Sequence, residues 1–393
     1  MKKAYTLFLL LAILSTKIYA QSSISADGRL NIGFENNVFN SPELYLDRAG
    51  TLFQKSDLVE SDGFTEFGWK FKYRSILKKK HKISIQNTGS FKNFFSLANA
   101  NQRGTDLKGK YIYKKSRRLQ FGYKIDLTRS KKLVTNILGD ELTATFTFTQ
   151  VINQGYVQYR IIENNKTKLG AYYKIRRYKS NPNTESLSYN TPALVFSTEQ
   201  SFNINQTKTR LKLGVSSAGR KYLDRTAKDA NGNGQVGYPT RDWSYFVTEL
   251  SYRLKFRNNL EFEPYIVYTK RTDNFQDQFS YKEFKTGLKF SYSLDNALIE
   301  FKTINYNKNY NIRPALQTDG AEIPLRYKYF KMSLKGEYRL PKRITLFFAV
   351  NYESRDSNVT SIERRPRREY DTYEIYTGIQ YSFQKSLKSR KYP

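Results

Sequence analysis

The sequence predicts an all-β chain: one antiparallel, up-and-down transmembrane β-barrel of about sixteen strands. Three observations predict it. Apolar and polar residues alternate with period two over stretches of nine residues and more, and this recurs along nearly the whole chain. Tight polar turns take turns with long loops rich in Asn, Asp, Gly and Pro. An export signal opens the chain, and cysteine is absent.

Composition narrows the choice. The 393 residues suffice for one large barrel, and a mean hydropathy of −0.69 excludes a helical membrane bundle. It does not exclude a barrel, because half of each strand faces water. Aromatics reach 16%, with 32 Tyr and 27 Phe, which suits girdles at two interfaces. Without cysteine there are no disulfides, thiol nucleophiles, iron–sulfur clusters, cysteine zinc sites or lipid-modified cysteine. The net charge is +32, and the chain stays strongly basic without Lys2, Lys3 and Lys17. Such a balance usually suggests nucleic acid. In an exported chain it points instead to anionic lipid head groups and anionic solutes, with no nucleic-acid partner.

Met1-Lys2-Lys3, the apolar run Leu7 to Leu14 and Ile18-Tyr19-Ala20 read as a signal peptide over 1–20. The barrel is expected over 21–383 and a basic periplasmic tail over 384–393. Expected strands lie at 23–35, 64–77, 83–96, 106–114, 119–128, 145–162, 168–178, 192–204, 209–218, 243–256, 260–271, 279–294, 297–308, 326–340, 344–355 and 369–383. Short turns such as Lys78 to Lys82, Arg257-Asn258-Asn259 and Pro341-Lys342-Arg343 separate them on one side. Long connections, about 36–62, 128–141, 179–191, 219–242, 309–325 and 356–368, separate them on the other. Short turns are expected in the periplasm and long loops outside.

Face assignments follow from the alternation. Phe67, Trp69, Phe71 and Tyr73 alternate with Glu66, Gly68, Lys70, Lys72 and Arg74; Leu119, Phe121, Tyr123, Ile125 and Leu127 alternate with Gln120, Gly122, Lys124 and Asp126. A Lys or Arg facing lipid at mid-membrane costs about 2–4 kcal/mol. The charged stripe must therefore line the lumen: Lys70, Lys72, Arg74, Lys124, Lys174, Arg176, Arg253, Lys289, Lys335 and Arg339. Glu66, Asp126, Glu249, Glu261, Glu263, Glu283, Glu300 and Glu337 share it, so a ladder of cross-strand ion pairs is expected. Two stretches fit poorly: alternation breaks in Ala297 to Lys308, and Pro264 interrupts a strand.

Near the end, Tyr373, Ile375, Thr377, Ile379, Tyr381 and Phe383 share one face, while Glu374, Tyr376, Gly378, Gln380 and Ser382 share the other. Tyr376, Gly378, Tyr381 and Phe383 match a polar–x–Gly–x–x–aromatic–x–aromatic pattern, and the segment resembles the closing strand of bacterial outer-membrane β-barrels. It departs from that pattern in carrying residues 384–393 beyond Phe383. The resemblance implies an outer-membrane location, insertion by the barrel-assembly machinery, and contact with outer-membrane lipids and lipopolysaccharide. A barrel this wide with no plug domain implies a porin-like channel for passive diffusion of small, preferentially anionic solutes. The alternative is a non-conducting accessory barrel that binds a surface lipoprotein, an envelope-assembly complex or lipopolysaccharide. A protein partner would meet the outer loops or the tail. Neither reading makes the chain an enzyme.

Few motifs carry chemistry. Asp229, Asn231, Asn233 and Gln235, with Gly234, resemble the first half of a calcium loop over 229–240. The twelfth position is Thr240 rather than a bidentate acid, and Asp229 alone among the early ligands is charged; a flexible Asn/Gly-rich loop is the simpler reading, and any calcium binding is expected to be weak. No other cofactor is expected. Gly232, Gly234 and Gly237 form a chance dinucleotide fingerprint, with Pro239 barring a helix. His81 is the single histidine, in a lysine-rich turn without an orienting carboxylate, and is expected to be a solvated turn residue. Arg364, Arg365, Arg367 and Arg368 in the last outer loop suit phosphates or solvent.

Overall fold

The computed structural model describes residues 20–46, 50–135, 143–179, 187–204, 207–256, 259–361 and 369–387. The expected signal peptide up to Tyr19, the cluster Arg364 to Arg368 and the tail from Lys388 lie outside these residues.

Sixteen strands close into one ring. They are β1 (Ala20–Glu35), β4 (Asp62–Leu77), β5 (His81–Phe94), β6 (Gln102–Lys114), β7 (Leu119–Thr135), β8 (Thr143–Tyr159), β9 (Asn165–Tyr178), β10 (Tyr189–Ile204), β11 (Thr207–Thr226), β12 (Thr240–Phe256), β13 (Leu260–Asp273), β14 (Tyr281–Ser293), β15 (Ala297–Leu316), β16 (Glu322–Arg339), β17 (Ile344–Ser357) and β18 (Tyr370–Leu387). Each pairs antiparallel with its sequence neighbours, and β18 pairs with β1 to complete the ring. Two short strands, β2 (Leu44–Leu46) and β3 (Leu52–Gln54), form a hairpin in the first long loop and lead into a single helical turn, α1 (Lys55–Leu58). Closure matters physically because it leaves no unpaired strand edge, the condition for a sheet to sit in hydrocarbon.

The outer face is apolar. Leu30, Ile32, Phe67, Phe71, Leu169, Leu194, Phe284, Ile375, Ile379 and Tyr381 all point away from the lumen, and Leu169 and Leu194 remain 63% and 64% exposed. Such a belt around the whole circumference would be an aggregation site in water and is the lipid contact of a membrane barrel. No described helix is long and apolar enough to cross a membrane; the crossing is made by strands. Trp69 donates from its indole nitrogen to Asn87 at 2.7 Å, which shields that outward amide from hydrocarbon.

Curvature is built from glycines under aromatic rings. A Cβ on Gly122 would come within 2.0 Å of the Tyr156 ring, and one on Gly287 within 2.2 Å of Tyr265. Each ring lies flat over its cross-strand glycine and fills the volume that a side chain would take.

Several strands run further on the loop side than their alternation predicts. β7 continues to Thr135, β11 to Thr226 and β15 to Leu316. Ladders persist there, with register shifts between Lys221 and Thr226 and between Asn309 and Pro314. Above the membrane both faces are wet, so the pattern fades while hydrogen bonding continues. The broken alternation in β15 has this outcome: Asn305, Asn307 and Asn309 face outward on regular ladders. Pro264 is accommodated opposite Leu288 of β14, and the β12–β13 ladder lacks the pairs of Tyr252 and Arg253 beside it. β18 also passes Phe383, with Gln384 to Leu387 opposite Ser25 to Ser22 of β1.

Candidate functional site: the lumen

Parity and register place all ten predicted lumen cations on the inward face. Lys70, Lys72 and Arg74 on β4 stand opposite Thr88, Gln86 and Ser84, on the opposite parity from outward Phe67 and Phe71. Lys124 stands opposite Lys110 and Gln154; Lys174 and Arg176 stand opposite Ile152 and Gln150. Lys289, opposite Glu263, and Lys335, opposite Glu300, complete the mid-wall set. Arg253 bonds Glu261, and Arg339 lies at the turn end of β16.

The inner wall carries charge in two ways. From β10 round to β1 many inward cations sit in ion pairs: Lys212–Glu249 at 2.6 Å, Arg210–Glu199 at 3.5 Å, Lys308–Glu283 at 3.4 Å, Lys331–Glu353 at 2.6 Å and Lys335–Glu337 at 2.5 Å. Towards the turn side of β4–β7 a group of cations does not. Lys72, Arg74, Lys82, Lys108, Lys110 and Lys124 surround a cavity of about 760 Å³ whose one lining carboxylate among the described residues is Asp126. None of the six makes an ion pair among the described residues. Lys110 and Lys124 are direct cross-strand neighbours, an arrangement that costs stability.

The first loop folds into the lumen. Val38 and Phe39 are buried against Phe64, Phe94 and Ala100, with Tyr376 of the closing strand at the edge. Asn37 donates its amide to the carbonyls of Ser41 (3.0 Å) and Asp371 (3.2 Å), and Val38 N–H bonds Glu60 O. Lys55 of α1 bridges Glu43 and Asp371 at 2.9 and 3.0 Å; hydrogen bonds to these two carboxylates hold its ammonium above the usual lysine range. Beneath this loop, Lys92 is clamped by Glu35 (2.5 Å) and Glu374 (2.6 Å), with its ammonium 3.8 Å from the Phe64 ring centroid. A cavity of about 670 Å³ crosses the lumen here, from Asn40 and Lys92 to Lys302 and Lys331 on the far wall.

A third feature lies towards the loop side. Arginines stack on aromatic rings along the inner wall from β8 to β18. Arg176 lies 4.2 Å from Phe148, Arg220 4.4 Å from Tyr189, Arg271 4.0 Å from Trp243 and 4.2 Å from Tyr281, and Arg355 4.6 Å from Tyr370. Arg241 is 2% exposed, stacks on Phe279 at 4.3 Å, and donates to Thr226 O. Each desolvated contact contributes about 1–2 kcal/mol and fixes a guanidinium facing the passage. Of this belt the lumen prediction named Arg176 alone. The signal was present in sequence as Arg-x-aromatic at strand ends: Arg176-x-Tyr178, Arg220-x-Tyr222 and Arg241-x-Trp243.

The remaining candidates make the following contacts. In the calcium-like stretch, an Asp229 carboxylate oxygen accepts from Asn233 N–H at 2.8 Å, and the Asp229 carbonyl accepts from Gly232 N–H. Asn231, Asn233 and Gln235 are exposed there. Among the described residues no group of three His, Cys, Asp or Glu could hold a metal. His81 is the first residue of β5, not a turn residue; Tyr111 OH lies 2.8 Å from its Nδ1, within an aromatic group that includes Tyr113. In the closing strand, Tyr381 and Phe383 face outward, while Tyr376 packs inward between Phe64 and Phe347.

The chain is a closed sixteen-strand antiparallel β-barrel with an apolar outer face. No protein-family model matches it, and no curated protein matches it. Solved structures similar to it include OpdO of Pseudomonas aeruginosa (11% identity, 93% of this chain and 97% of that one, TM-score 0.43). OpdL of the same organism gives 13% identity, 92% and 99% coverage and 0.43. An anion-selective porin from Comamonas acidovorans gives 11%, 93% and 100%, and 0.41. Overlaps this loose carry no argument; the fold rests on the closed ladder described above.

Proposed function

We propose that the chain is a porin-like channel of the outer membrane that passes small solutes by diffusion and favours anions. The observation that carries this reading is the six-cation wall on β4–β7, unpaired around an open cavity. A transiting anion meets a positive potential there, and a cation meets an electrostatic barrier. The arginine belt at the loop side would attract anions towards the same path. Planar-bilayer recording under a salt gradient tests it. An open barrel with a reversal potential of anion-selective sign is expected; a cation-selective barrel removes the reading.

The inward-packed first loop favours a second reading, a non-conducting barrel whose outer loops bind a surface partner. Absence of conductance in a correctly folded, heat-modifiable barrel, together with a stoichiometric partner after mild extraction, would replace the first reading with this one.

A further inference from the structure

Positive charge is buried in the wall at the loop-side end of β11–β13. Arg220 on β11 stands directly opposite Trp243 on β12, and Arg241 precedes that tryptophan by two residues. Arg271 on β13 stands opposite Tyr245, the next inward residue of β12. The guanidinium carbons of Arg220, Arg241 and Arg271 lie 5.8, 5.6 and 4.0 Å from the Trp243 ring. Arg241 and Trp243 are 2% and 6% exposed. Some of their donors are used: Arg241 donates to Thr226 O, and Arg271 Nε donates to Phe279 O at 2.7 Å. Others are not. Arg220 Nε, Arg241 Nε and Trp243 Nε1 are buried and have no acceptor among the described residues. The acid in register is Asp273, opposite Trp243, and its two oxygens accept from Phe275 N–H at 3.4 Å and Phe279 N–H at 3.1 Å. Glu283, the next inward acid on β14, is taken by Lys285 and Lys308. Among the described residues no ion pair reaches Arg220, Arg241 or Arg271.

Buried N–H groups without acceptors do not face an empty space; water or an ion fills it. Charge decides between the two. Three guanidiniums share one carboxylate here, and water neutralises none of the excess, which is costly away from solvent. Burial sets the size: a place closed to solvent on nearly all sides has room for an ion of one atom, not for an organic acid. We propose that the wall holds a resident monatomic anion, chloride in size and charge, bound by Arg220 Nε, Arg241 Nε and Trp243 Nε1. The ion is a counter-charge that lets three arginines pack round one tryptophan, and not a solute in transit. Arg220 is half-buried, so exchange with the lumen passes its side chain. The proposal is independent of whether the lumen conducts and of which ions it prefers.

Halide quenching of the detergent-purified protein tests it. The chain has two tryptophans, and Trp69 lies on the outer face, so the variant Trp69→Phe leaves Trp243 as the one reporter. Iodide seated against the Trp243 indole should quench its fluorescence along a saturating curve. Chloride should relieve that quenching at constant ionic strength made up with gluconate. Adding Arg241→Met, which removes one donor and one charge, should weaken iodide binding at least tenfold. Crystals of the wild-type protein grown in sodium bromide should show an anomalous peak at hydrogen-bond distance from Trp243 Nε1. Quenching that is absent, or that rises linearly and ignores chloride, overturns the proposal. So does a folded Arg241→Met variant that binds iodide as tightly as its parent. Should either variant fail to fold, the bromide crystals decide alone: a water without anomalous signal between Arg241 and Trp243 overturns it.

Discussion

The ammonium of Lys92 lies 2.6 Å from the carboxylate of Glu374, a contact between β5 and the closing strand across β1 and β4. Glu35 completes the clamp from β1, and Asn351 Nδ2 holds the other Glu374 oxygen at 2.8 Å. The site is largely closed to water, with the Lys92 side chain 11% exposed. Removing the cation leaves two carboxylates facing each other in a poorly hydrated seam. Lys92→Met is expected to lower barrel stability by about 3–5 kcal/mol. The measurement is urea unfolding of the detergent-folded protein. Adding Glu35→Gln and Glu374→Gln should recover most of the loss, because the uncompensated charge, not the missing bond, is the larger cost.

The opposed lysines Lys110 and Lys124 couple selectivity to stability in opposite directions. Lys110→Glu turns a like-charge cross-strand pair into an opposite-charge pair. It should stabilise the barrel by about 0.5 kcal/mol while weakening the positive potential around the cavity. Reversal potentials should show the anion-to-cation permeability ratio falling by roughly tenfold, about 1.4 kcal/mol of preference. A more stable protein with unchanged selectivity would mean that ions do not pass this wall.

The wall was legible in sequence because it needs only parity. Once Phe67 and Phe71 face lipid, Lys70 and Lys72 have nowhere to point but inward, and strand ends at the turns, such as Leu77 and Ile344, follow from the turn chemistry. What could not be read is whatever depends on elements far apart in the chain. Val38 and Phe39 are two apolar residues in a polar loop, and nothing local says that Phe64 and Phe94 await them on the inner wall. Arg271 meets both Trp243 and Tyr281 only because three strands are in one register. Arg129 and Lys131, outward beyond Leu127, sat where the alternation had already faded, so they read as loop.

That buried pair of loop residues makes the lumen adjustable. Phe39→Ala should cost about 3 kcal/mol of local packing. The ring does not fall apart, because Phe39 contributes nothing to the sixteen-strand ladder. The loop around 36–43 should instead leave the passage. Unitary conductance is expected to rise, and limited proteolysis should cut near Asn40 in the variant but not in the wild type. Unchanged conductance with new cleavage would place the narrowest point elsewhere, at the arginine belt.

Closure of the ring depends on a missing side chain at Gly378. A Cβ there would sit 2.3 Å from the Leu30 carbonyl, 2.8 Å from Asn31 Oδ1 and 2.9 Å from the Phe347 ring. Two of these neighbours belong to β1, the strand that β18 must find last, and the nearest contact is backbone, which cannot swing aside. Gly378→Ala is therefore expected to cost about 1–3 kcal/mol, the usual range for overpacking, and to act mainly on closure. Gly28 offers the control: it lies on the partner strand, and a Cβ there would meet nothing within 4 Å. Refolding into detergent, followed by heat-modifiability on gels, should give a reduced folded fraction for Gly378→Ala and a near-wild-type fraction for Gly28→Ala. Equal yields from the two variants would show that the β1–β18 seam relaxes freely, and the tight approach at Gly378 would then have no part in closing the barrel.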